Sequence, residues 1–162
     1  APLDNGLGSF ALSLALKEGG AAIAVLSTPL SKCNNHNLLD LMGQLYEKGL
    51  LVSQFAPSVK TQKWHVVLRN RFLSGISNSV YLPEDKDGGP SWAVFDLAME
   101  LGAKTMLSKA IVENPNLKWP RDRMQKGSLV EKNPSDIRKL IDKRSSRVKS
   151  SMLDDLIPDL FS

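Results

Sequence analysis

The chain contains a single cysteine, Cys33, and two histidines, His36 and His65. One thiol cannot close an internal disulfide, so a reducing, intracellular location is expected rather than secretion. These three residues are too few and too badly spaced for a closed zinc site, so neither a metal nor any other cofactor is expected. No uncharged apolar stretch reaches the ~18 residues that a membrane-spanning helix needs. The two apolar runs, Leu7 to Leu16 and Ala21 to Leu26, are separated by Lys17-Glu18-Gly19-Gly20. The chain starts with Ala1 and carries no basic leader, which fits a processed N-terminus, as after import into an organelle such as the mitochondrion, or a trimmed chain. Internal repeats and low-complexity tracts are absent. So are a nucleophile elbow and a glycine-rich phosphate loop, and the adjacent Asp154-Asp155 pair has no scaffold around it. The chain is therefore expected not to be an enzyme.

What is present suits one domain with a tail. At 162 residues and 42% hydrophobic content, the chain can bury one core without staples. The net charge of +4 is unevenly placed. Lys118 to Lys149 holds 11 Lys/Arg against 4 Asp/Glu, a local +7, and the remaining 130 residues carry 10 − 13 = −3. A near-neutral body with a basic C-terminal segment points to an anionic partner.

Hydrophobic periodicity gives the expected elements. Ser9 to Lys17 forms a helix stopped by Gly19-Gly20. Ala21 to Ser27 reads as a short strand. Asn37 to Lys48 is the clearest helix, with Leu38, Leu41, Met42, Leu45 and Tyr46 on one face and Asn35 or Asn37 as its cap. Leu50 to Phe55 reads as a strand. Trp64, Val66, Leu68 and Phe72 alternate as in a half-buried strand, with Asn70-Arg71 as a hairpin turn and a further strand over Phe72 to Tyr81. After the charged loop Glu84 to Pro90, a second helix is expected over Trp92 to Ala110. Ile137 to Val148 reads as a short basic helix, and Met152 to Phe161 as an acidic and apolar docking peptide.

The order helix, strand, strand, strand, helix over residues 36–110 resembles the double-stranded-RNA-binding domain. The resemblance rests on Leu38, Leu41 and Leu45 in the first helix and on the alternating Trp64 to Leu68. It also uses the small-residue segment Phe72-Leu73-Ser74-Gly75-Ile76-Ser77-Asn78-Ser79, and Ala93, Ala98 and Ala103 in the second helix. It implies an α+β fold: a three-stranded antiparallel sheet packed on two helices (αβββα). Residues 1–35 would be an N-terminal helix/strand extension, 36–111 the domain, and 112–162 a basic, proline-punctuated extension. The family carries lysines at the start of its second helix, where they meet phosphates. Here that helix starts Ser91-Trp92-Ala93-Val94-Phe95-Asp96, with no Lys or Arg before Lys104.

Candidate RNA contacts follow from that placement. Lys48, Lys60 and Lys63 could meet phosphates, and Arg69 and Arg71 flank the expected turn. Trp64 and Trp92 fall on apolar-periodic faces and read as core anchors, whereas Trp119, beside Arg121 and Arg123, is the best stacking aromatic. Arg138, Lys139, Lys143, Arg144 and Arg147 form a basic group, with Lys139, Lys143 and Arg147 along one helical face. The leading expectation is a non-enzymatic component of a ribonucleoprotein assembly, with an organellar ribosome as one setting. It would bind structured RNA such as rRNA, and neighbouring proteins through residues 152–161, with no membrane involved. The alternatives are a protein-interaction module on the same fold, and a winged-helix DNA-binding protein built on residues 37–81.

Overall fold

A computed structural model describes residues 1–4, 6–33, 36–85 and 91–142. The chain divides into two compact units, Ala1–Leu73 and Ser74–Ser162.

In the first unit, α1 (Leu7–Lys17) leads into β1 (Ile23–Val25), and α2 (Leu39–Lys48) leads into β2 (Leu50–Val52). β1 and β2 pair in parallel, Ile23 opposite Leu50 and Val25 opposite Val52. A parallel pair needs a crossover, and α2 supplies it. The core is made by Leu12 and Leu16 of α1, Ala24 of β1, and Leu41, Met42 and Leu45 of α2. Pro2 bridges Val25 in the same parallel sense, extending the pairing beside β1. Cys33 packs here as a small apolar group, its Sγ 3.7 Å from Met42 Sδ.

The expected strand over Trp64 to Leu68 and the turn at Asn70-Arg71 are instead one helix, α3 (His65–Ile76), within which the division between the two units falls. The alternation of Trp64, Val66 and Leu68 misleads because α3 buries polar residues. His65, Arg69, Asn70 and Ser74 are buried together with Leu73, while Trp64, Val67 and Ile76 are exposed. The guanidinium of Arg69 donates to Asn70 Oδ1 at 2.9 and 3.1 Å and to Asp4 Oδ2 at 3.3 Å. Burial pulls its pKa down, against the opposing pull of Asp4. His65 stacks on Phe55 at 4.0 Å and meets the edge of Trp64 at 4.4 Å.

The second unit is a three-stranded parallel sheet in the order β3-β4-β5: β3 (Ser79–Leu82), β4 (Lys104–Leu107) and β5 (Leu129–Val130). α4 (Ser91–Glu100) connects the first two strands. α5 (Lys109–Glu113) and α6 (Pro120–Gln125) lie between β4 and β5, and α7 (Pro134–Asp142) follows. The fold is thus α+β with parallel strands in two small sheets, and the antiparallel αβββα expectation is overturned. The expected helix over Trp92 to Ala110 stops at Glu100 because Gly102 takes φ 77, a left-handed value that ends helices. The Ala103 N–H closes back to the Ala98 carbonyl at 2.8 Å, and β4 begins one residue later. Gly127, at φ 100, ends α6 in the same way before β5.

Leu82, Phe95, Leu107, Ile111 and Leu117 form the core of this unit. Tyr81 on β3 donates to Glu131, just past β5, at 2.7 Å, tying the outer strands across β4. Among the described residues no helix is long and apolar enough to cross a membrane.

Candidate nucleic-acid interface

The second unit brings an aromatic and basic cluster together. Trp92 sits in the first turn of α4 and Asp96 one turn later, while Pro120, preset for a helix start, opens α6 and places Arg123 one turn in. Arg123 Nε donates to Asp96 Oδ1 at 2.8 Å and Nη2 donates to Oδ2, a two-pronged pair. That hydrogen bonding pushes the Arg123 pKa up. The guanidinium carbon lies 5.6 Å from the Trp92 ring centre and 5.8 Å from that of Trp119, within cation–π reach of both. Trp119 is half-buried, and its Nε1 is buried without a hydrogen-bond partner among the described residues. Trp92 keeps 36% of its surface exposed. Arg121 and Lys118, on either side of Trp119 in the chain, are exposed as well. An indole with exposed surface, held in cation–π contact with a fixed cation, can stack on a base.

A second basic feature lies in the same unit. A cleft of about 700 Å³ opens among the end of α4, β4, β5 and α7, and Lys104, Lys126, Lys132 and Lys139 line it. Asp136, in the first turn of α7, is its one carboxylate among the described residues. Lys139 donates to Asp136 Oδ1 at 3.0 Å, while the backbone N–H groups of Asn133 and Lys132 donate to Oδ2 at 3.0 and 3.1 Å. Lys139 first, and then those N–H groups, hold the Asp136 carboxyl below its ordinary range.

The sequence-derived candidates are scattered over both units. In the first, Lys48, Lys60, Lys63 and Arg71 are exposed, whereas Arg69 is buried against Asp4 and Asn70. In the second, Trp119, Arg121 and Arg123 come together around α6, and Arg138 and Lys139 are exposed on α7. Lys143, Arg144 and Arg147, like the peptide Met152 to Phe161, lie outside the described residues. Sequence reasoning missed Trp92, which its apolar neighbours disguised as a core residue. It also missed Lys104, Lys126 and Lys132, for which the signal was the glycine stop before each strand: Gly102 before Lys104, and Gly127 between Lys126 and Lys132.

Comparison with known proteins identifies the fold's relatives. The profile of the family described as DNA recombination-mediator protein A matches residues 3–142. DNA processing protein DprA of Bacillus subtilis (strain 168) is 25% identical over 135 residues, 83% of this chain and 46% of the relative. Protein Smf of Escherichia coli (strain K12) is 28% identical over 136 residues, 83% of this chain and 36% of the relative. DprA of Streptococcus pneumoniae (strain ATCC BAA-255 / R6) is 32% identical over 103 residues, 62% of this chain and 36% of the relative. The chain thus spans less than half the length of these curated relatives. The X-ray structure of DNA processing protein A from Streptococcus pneumoniae superposes with a TM-score of 0.69 at 24% identity, covering 83% of this chain and 48% of that one. That likeness shares the fold.

These matches overturn the double-stranded-RNA-binding resemblance. With it fall the ribonucleoprotein role, the structured-RNA and assembly-protein partners, and the interaction module built on that fold. The winged helix fails on the fold itself, because residues 37–81 run helix, strand, helix, strand rather than helix and β-hairpin. By the match over residues 3–142, the chain belongs to the DNA recombination-mediator protein A family.

Proposed function

We propose that the chain acts on DNA in recombination, binding single strands without catalysing a reaction of its own. Relatives named as DNA processing proteins, and a family described as a DNA recombination mediator, support DNA as the partner. The single observation that carries the single-strand reading is the 36%-exposed Trp92 ring in cation–π contact with Arg123. Its free face can stack only on a base that is not already stacked and paired, and base–aromatic stacking contributes about 1–3 kcal/mol per base. DNA as the partner places the protein inside the cell. The named relatives are bacterial, which gives the organellar setting no support.

The test is a fluorescence titration with an unlabelled oligothymidylate. Binding is expected to weaken with salt, as phosphate contacts require. Trp92→Ala is expected to weaken it about tenfold, and Trp92→Phe to retain most of it. Undetectable binding at ~50 mM salt would overturn the reading.

A further inference from the structure

The lysine-lined cleft is separate from the Trp92 cluster in its residues and in its chemistry. Lys104 opens β4, Lys126 and Gly127 precede β5, Lys132 follows it, and Lys139 lies on α7. Against these four cations stands, among the described residues, one carboxylate, Asp136, already engaged by Lys139 and two backbone N–H groups. Between the lysines the wall is apolar: Met99, Met106, Leu129 and Leu140. The cleft gathers residues along β4 and β5 and from the segments on both sides of β5.

Two features decide the ligand. Cations of one sign gathered around a concave surface repel one another and focus an attractive field for an anion, and ammonium groups suit phosphate oxygens as compact point charges. Inorganic phosphate would leave most of the ~700 Å³ unfilled, since that volume lies in the range of drug-sized ligand pockets. The apolar wall asks for a flat hydrophobic body attached to the anion. The Met99 and Met106 thioethers are suited to an aromatic ring, because sulfur makes favourable contacts with ring edges and faces.

We propose that this cleft binds a nucleoside 5′-phosphate, its base against Met106 and Leu129 and its phosphates among Lys104, Lys126, Lys132 and Lys139. The ligand is either a free nucleotide or the 5′-phosphorylated end of a strand. The inference does not rest on the single-strand reading, because it uses none of the residues of the Trp92 cluster.

The test is calorimetric titration of the whole chain with adenosine triphosphate, with inorganic phosphate, and with oligothymidylates that differ only in a 5′-phosphate. Adenosine triphosphate or the 5′-phosphorylated strand is expected to bind at least about tenfold more tightly than inorganic phosphate or the 5′-hydroxyl strand, respectively. The first result assigns a free nucleotide and the second a strand end. The double variant Lys126→Glu/Lys132→Glu changes two exposed side chains and is expected to lose at least tenfold in affinity. Leu129→Glu, at a half-exposed wall position, is expected to lose a similar factor. Three results would overturn the proposal: no binding by either phosphate-bearing probe, the same affinity for inorganic phosphate as for the nucleotide, or affinity untouched by both cleft variants.

Discussion

In α2 the buried side chains are Leu41, Met42 and Leu45, while in α3 they are His65, Arg69, Asn70, Leu73 and Ser74. The two helices have 10 and 12 residues, and α3 turns Val67 and Ile76 outward. α2 is secured by transfer of apolar surface out of water, which tolerates small shifts of neighbouring atoms. α3 depends on directional bonds instead. The Arg69 side chain is 93% buried, and each hydrogen bond it donates to Asp4 and Asn70 offsets part of the cost of removing its charge from water. The difference teaches that hydrophobic periodicity identifies an element only when its buried face is apolar.

Substitutions can break or sharpen that contrast. The largest loss is expected for Leu45→Ala, which opens a cavity at a fully buried position and is expected to cost about 3–4 kcal/mol in a urea melt. Arg69→Ala is expected to cost about 3 kcal/mol, because it strips the buried partners of Asn70 and Asp4. Combined with Asp4→Ala, it is expected to cost clearly less than the sum of the two single changes. Additive losses would show that the pair does not secure α3. His65→Phe is expected to be neutral or to stabilise by about 1 kcal/mol. It keeps the stack on Phe55 and removes the buried Nε2, which has no partner among the described residues. Val67→Lys, on the exposed face of α3, is expected to stay within about 0.5 kcal/mol.

In the second unit a titration tests the tie between the outer strands. Burial first, and then the bond to Glu131, push the Tyr81 hydroxyl up to about 12, above its ordinary value near 10. A raised folded pKa means the bond's stabilisation is complete below about pH 10 and is lost as pH rises towards 12. Tyr81→Phe is therefore expected to flatten the fall in stability over that window, as measured by denaturation at stepped pH.

The first half of the fold was legible where local rules and burial agree. α1, β1, α2 and β2 lie where an apolar stripe meets a glycine or proline stop, with boundaries off by a few residues at most. α3 was not legible, because its alternating Trp64, Val66 and Leu68 imitate a strand while its buried contacts are polar and, like Arg69 to Asp4, span 65 positions. β4 was hidden by its length of 4 residues directly behind the Gly102 stop, so one long helix absorbed it and the parallel order was lost with it. The basic segment after Lys118 was visible in the charge count. What it could not reveal was that folding would gather its Lys126, Lys132 and Lys139 with the distant Lys104 into one cleft. Trp92 was misjudged for a related reason: its neighbours are apolar, but its own direction is set by the Arg123–Asp96 pair 27 positions apart.

The account's central claim, that Trp92 presents a stacking face for unpaired bases, is tested most directly by competition. A labelled oligothymidylate bound to the protein is displaced by the same amount of unlabelled single strand or of duplex, at matched salt. The account predicts that the single strand competes at least about tenfold better than the duplex and that Trp92→Ala erases most of that preference. Equal competition by the two, or a preference unchanged in Trp92→Ala, would contradict it.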